Sequence, residues 1–177
     1  MKDIVTPYDL FFDQLRDLYS LESQLGASLP KLVGRISHAG LRGYLLHHAE
    51  QTEGQRVQLA RIFAGHGVPA EGQRCKAMAG IIEGGELECG RVADAGTRDL
   101  MIISHCLRIE HYEIAAYGIT SRLAGRLGLT TEAGILSAIL SEEDFAMKAL
   151  RELEYEVFQL AGHSRRPRNP VPKPALV

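Results

Sequence analysis

The sequence predicts an all-α domain: a four-helix bundle of two helical hairpins, joined by a long crossover that carries a short helix of its own. Three observations support this. Apolar residues recur at helical spacing over four long segments. No alternating apolar–polar run bounded by turn residues argues for a strand. The breaks between segments are short, then roughly thirty residues, then short, which makes helices one and two, and three and four, antiparallel neighbours.

The first helix starts at Thr6-Pro7, an N-cap hydroxyl followed by proline at the first helical position. It runs through Leu29 to Pro30, which should kink or end it. Gly40 marks the break before a second helix over about 41–64, closed by "GHGVP". Residues 71–96 form the crossover, with a helical piece around 78–87. A third helix covers about 97–127; "GLTTEAG" interrupts it, and Thr130 or Thr131 caps a fourth over about 132–160. The bundle is assigned to residues 1–162. Residues 163–177 hold four of the seven prolines and the Arg165, Arg166, Arg168 cluster, a composition that predicts a flexible tail.

Composition narrows the function classes. Twenty basic residues against 22 acidic give a net charge of −2, so nucleic acid and anionic membranes are not expected partners. No apolar run approaches the length of a membrane span, and the N-terminus lacks a signal-peptide core. Cys75, Cys89 and Cys106 are an odd set without metal-finger spacing. They read as reduced, apolar thiols in a cytoplasmic protein.

The acids are the unusual feature. Advancing about 100° per residue, Ile103, Cys106, Leu107, Ile114, Tyr117 and Ala124 all fall within about 60° of Glu110, and so does Glu113. Both glutamates of "RIEHYEIAAYG" therefore lie inside the apolar stripe. Glu22 shares a face with Phe11, Leu15, Leu18 and Leu25, and Glu143 with Leu136, Ile139, Ala146 and Leu150. Phase is less decisive in the second helix. Glu53 sides with Leu46, Ala49 and Val57, and Glu50 lies further round. The strongest apolar line (Leu41, Leu45, Leu59, Phe63) is elsewhere, with His48, Thr52 and Gln55 near it.

An ionised carboxylate removed from water costs several kcal/mol unless it is paired or coordinated. The stripes around Glu22, Glu110 and Glu143 carry no Lys or Arg. A bound pair of divalent cations resolves the charge problem better than shared protons would for six converging acids. Two i, i+3 pairs, Glu50 with Glu53 and Glu110 with Glu113, match the spacing that dimetal bundles use.

In order along the chain, "LYSLESQL", "HHAEQTEGQ", "CKAMAGIIE", "IEHYEIAAYG" and "SEE" resemble the YciF-like bacterial stress proteins, a ferritin-like family. The likeness runs across about residues 8–155, and "EHYEIAAYG" is its most specific element. The resemblance implies a ferritin-like bundle, dimeric, with a carboxylate-rich di-iron-type site whose metal ligands would be Glu22, Glu50, Glu53, Glu110, Glu113 and Glu143. One departure is that the second helix of such proteins can read Glu-x-x-His, where this chain has Glu50-x-x-Glu53. The fourth helix has Ala146 and Met147 where a further ligand would follow Glu143. A nearly all-oxygen site suits iron or manganese better than zinc. His47 or His48 could add nitrogen, though a packed or surface histidine is the plainer reading. Tyr19 and Tyr117 lie near the acids, where hydrogen-bond donors to the ligands compete with a plain core role.

The expected function is that of a dimetal stress protein with two divalent ions, iron first and manganese second, and oxidase- or peroxidase-type chemistry on O₂ or peroxide. The alternative is a non-enzymatic bundle, acting as a metal-binding or partner-interaction module. A storage cage is weaker, because nothing in the sequence specifies a shell. The expected assembly is a homodimer.

Overall fold

The computed structural model of the protein describes residues 3–161. It contains α1 (Pro7–Val33), α2 (Ala39–Gly65), α3 (Lys76–Gly90), α4 (Ala95–Arg126) and α5 (Thr130–Ala161), with no strand among the described residues. The expected tail lies outside the described residues. Among the described residues, no helix is long and apolar enough to cross a membrane.

Helix starts follow from local hydrogen bonding. Thr6 caps α1 through a reciprocal box: its hydroxyl accepts from the Asp9 N–H at 3.1 Å, and the Thr6 N–H donates to the Asp9 carboxylate at 3.0 Å. Asp94 caps α4 by accepting from the Thr97 N–H at 2.8 Å. Three boundaries differ from the sequence expectation. Pro30 does not end α1 but sits inside its last turn, where only the single bond to the Gly26 carbonyl is forfeited. Gly40 lies inside the first turn of α2, because the His38 imidazole takes the cap by accepting from the Leu41 N–H at 3.2 Å. Thr130 is the first residue of α5 rather than its cap. The turn before it depends on Gly128 at φ 74°, a conformation that a side chain would strain.

The packed pairs are α1 with α2, α4 with α5, α1 with α4 and α2 with α5, a four-sided bundle. The crossover helix α3 lies outside this square, against α1 and α4, burying Cys75, Met78 and Ile82 on Leu21, Leu25, Leu29 and Ile109. It approaches α4 closely at Gly85, where a Cβ would stand 2.1 Å from the His105 ring. Within the square the apolar core is split in two. Phe11, Phe12, Leu15, Leu18, Leu59, Phe63, Leu136 and Ile139 fill one end. Leu32, Leu41, Leu45, Ile102, Ile103, Cys106, Leu150 and Val157 fill the other.

Each end is tied by polar contacts. At the first, the His66 ring bridges the Tyr8 hydroxyl at 3.3 Å and the Glu132 carboxylate at 2.8 Å, linking α1, α2 and α5. At the second, buried Asp99 of α4 accepts from the backbone N–H groups of Ser37 (3.0 Å) and His38 (2.9 Å), and from the Ser37 hydroxyl. Arg98 adds a bond to the Arg35 carbonyl at 3.1 Å. The loop between α1 and α2 is thus held by the start of α4.

Replacing Asp99 with Ala should therefore lower stability by about 2–3 kcal/mol in urea titration, since several bonds made by one buried carboxylate are lost together. A loss no greater than that of Thr6→Ala, about 1 kcal/mol, would show that the clamp contributes little.

Candidate metal centre

Between the two apolar clusters lies a polar layer near the midpoints of the four bundle helices. It contains Glu22 of α1, His48, Thr52 and Gln55 of α2, Glu110 and Glu113 of α4, and Glu143 of α5, all at most 2% exposed. Each residue reaches the interior because its apolar neighbours one turn away do: Leu18 and Leu25 around Glu22, Leu45 and Leu59 around the α2 set, Cys106 and Tyr117 around the α4 pair, Ile139 and Ala146 around Glu143.

Four of the six acids expected at the site are brought together, and two are not. Glu50 and Glu53 are exposed. Glu53 pairs with Arg56 at 2.6 and 2.9 Å, and this bond holds its carboxyl below the usual range. The reason is rotation. The Leu41, Leu45, Leu59, Phe63 line turns inward, while Leu46 and Val57, which share the Glu53 face, are 51% and 37% exposed. The α2 wall is made by His48, Thr52 and Gln55, residues whose position beside the apolar line was the available signal. His48 is accordingly a buried member of the layer, while His47 is exposed. Tyr117 also exceeds a plain core role, since its hydroxyl donates to Glu22. Tyr19 instead accepts from Arg56 at 3.1 Å.

Three donors orient the acids. The Tyr44 hydroxyl donates to Glu110, the Tyr117 hydroxyl to Glu22, and the Gln55 amide to Glu143, with a second bond from Gln55 to Glu142 at 3.1 Å. The His48 Nε2 atom stands 3.6 Å from Glu110 and 3.8 Å from Glu113, too far for a hydrogen bond. One ligating atom from each of these three residues falls within a 4.8 Å cluster.

Burial dominates the electrostatics. It pushes Glu22 up to about 8 and Glu143 up to about 9, with mutual repulsion among the acids adding to both. Glu110 rises less, to about 7, because the Tyr44 hydroxyl and Glu143 hydrogen-bond to it. Glu113 is raised by burial and then by the charges of Glu143, Glu22 and Glu110. Burial lowers His48 to about 4, so its ring is neutral and has a lone pair to give. Among the described residues, no Lys or Arg forms an ion pair with any of these acids.

The donor set could hold a metal ion. Nine buried side-chain polar atoms lack a hydrogen-bond partner among the described residues, and eight belong to this layer. They are Glu22 Oε2, both His48 nitrogens, Thr52 Oγ1, Gln55 Oε1, Glu110 Oε2 and both Glu113 oxygens. Buried polar atoms are ordinarily satisfied. A concentration of unsatisfied acceptors, with no cation to face them, is the arrangement expected of ligands. Two divalent ions would balance the four carboxylates.

The family model described as a domain of unknown function, DUF892, matches residues 6–161. Protein YciF of Escherichia coli is 33% identical over 136 residues, covering 76% of this chain and 82% of its own length. The crystal structure of the E. coli stress protein YciF superposes with a TM-score of 0.84 at 31% identity, covering 88% of this chain and 99% of that one. YcfI from Rhodopseudomonas palustris gives 0.82 at 33% identity, covering 85% and 96%. A Xanthomonas campestris protein, at 20% identity and a TM-score of 0.68, covers 87% of this chain and 94% of its own and shares the fold. The fold is the ferritin-like bundle.

In metal-free protein these acids keep their protons in the folded chain at pH values where the unfolded chain has lost them. That stability is fully present below the ordinary carboxyl range near 4.5 and is lost as pH rises through about 7 to 9. His48 works in the opposite sense and only between about 6.5 and 4. The thermal midpoint of chelator-treated protein should fall between about pH 5.5 and pH 9, and Glu22→Gln together with Glu113→Gln should flatten the decline. A midpoint that climbs over that interval would contradict the buried-acid layer.

Proposed function

The chain belongs to the DUF892 family, and from that membership and its buried acids we propose that it is a dimetal-binding protein of the YciF-like stress-protein kind. Glu22, Glu110, Glu113 and Glu143 would hold the ions, with His48 as the nitrogen ligand. The observation that carries this reading is the set of eight unpartnered polar atoms sharing one buried layer.

The roles of the side chains follow from their hydrogen bonds. Tyr44 and Tyr117 each occupy one oxygen of Glu110 and Glu22, which leaves the other oxygen of each free. Gln55 steadies Glu143 in the same way. Glu113 has both oxygens free and is repelled by the other three acids, so it is the carboxylate best suited to reach two ions. The apolar clusters above and below exclude water and strengthen every charge interaction between them. Iron or manganese bound there would supply redox chemistry on O₂ or peroxide. Four oxygen ligands and one imidazole favour iron, with manganese second. We place the protein in the cytoplasm, in keeping with its three free cysteines, and as a homodimer.

Protein purified without chelator should carry close to two ions per chain by elemental analysis. Glu110→Ala and His48→Ala should lose most of that metal, while Glu142→Ala and Glu50→Ala should keep it. Equal losses in all four would refute the ligand assignment. Stoichiometric metal with no consumption of O₂ or peroxide would favour the alternative, a metal-binding or partner-interaction module without turnover. Light scattering decides the dimer.

A further inference from the structure

Glu22 is fully buried, yet it lines a groove between α1 and α2 of about 330 Å³, together with Ser23, Gly26, Pro30, Glu53 and Arg56. Its Oε2 has no hydrogen-bond partner, so an unsatisfied buried acid underlies a depression otherwise lined by exposed and half-buried residues. Two oddities of α1 make the groove. Gly26 presents no side chain, and an added Cβ would meet only Thr52 Cγ2, at 3.8 Å. Pro30 has no N–H, so the Gly26 carbonyl lacks the donor that position would supply in a regular helix. At the mouth, Glu53 is 60% exposed and Arg56 33%. Arg56 binds both Glu53 oxygens, donates to the Tyr19 hydroxyl and lies 5.9 Å over the Tyr19 ring.

We propose that this groove is the route by which a divalent cation reaches the buried acids, with Glu53 as the receiving carboxylate and Arg56 as the latch across the mouth. The inference rests on the metal-centre reading above. With Arg56 on Glu53, the mouth presents no net charge. When the guanidinium releases Glu53 and keeps only its contacts with Tyr19, the carboxylate is freed to draw in a cation. The Gly26 carbonyl and Glu22 Oε2 then offer successive oxygens on the way in. This gives the exposed Glu53 a part in the site's chemistry without making it a resident ligand.

The test is the rate of cation uptake, read apart from any turnover. Co²⁺ is mixed with chelator-treated full-length protein, and its visible absorption is followed by stopped flow to an end-point. Gly26→Leu, which fills the groove, and Glu53→Gln, which leaves Arg56 unopposed, should each slow uptake roughly tenfold. Arg56→Ala should accelerate it. Gly26→Ala, which fits and favours helix, should stay near wild type. All four should reach the wild-type end-point. Wild-type rates in Gly26→Leu, Glu53→Gln and Arg56→Ala would overturn the route, and so would a lowered end-point with unchanged rate. No Co²⁺ uptake by the wild-type chain would instead overturn the metal-centre reading itself.

Discussion

The structure depends on one constraint: four carboxylates are withdrawn from water at the middle of a bundle that offers them no basic partner. Taking an ionised acid out of solvent costs several kcal/mol, and four in mutual contact multiply the difficulty. The chain meets it in layers. Apolar residues seal both ends of the square, and Tyr44, Tyr117 and Gln55 each satisfy one oxygen. The remaining acceptors are left facing one another, and protons or metal ions must supply the missing positive charge. Core packing, the raised carboxyl pKa values and the neutral state of His48 all answer the same requirement.

Most of this was legible in the sequence because helical phase is a strong signal where the apolar stripe is unambiguous. In α1, α4 and α5 the stripe is continuous, and Glu22, Glu110, Glu113 and Glu143 fall on it as expected. In α2 the signal divides. Leu46, Ala49 and Val57 suggested one inward face, while Leu41, Leu45, Leu59 and Phe63 suggested another. Glu50-x-x-Glu53 matched a familiar ligand spacing and so drew the assignment to a face that the structure leaves exposed. Longer, bulkier side chains decided the rotation, and a His-Thr-Gln run took the wall that acids had been expected to form. Spacing shows which residues share a face. It does not tell which face turns inward.

The helix boundaries teach a related lesson. Pro30 and Gly40 are breakers by composition, yet both lie inside helices, because tertiary contacts outweigh a local cost near a terminus. The clamp from Asp99 to Ser37 and His38 spans two hairpins. No reading of the α1–α2 loop by itself could have supplied it. Likewise, the close approach of α3 to α4 at Gly85 is invisible in a segment where Gly80 and Gly84 face open space.

The order of the layer along the chain has a consequence for biosynthesis. Glu22 lies on the first helix of the bundle and Glu143 on the last, and neither hairpin alone holds the full set. A growing chain therefore has no complete acid layer until α5 has docked. The four-acid layer exists only on the docked bundle, and a half-folded chain presents just part of the set.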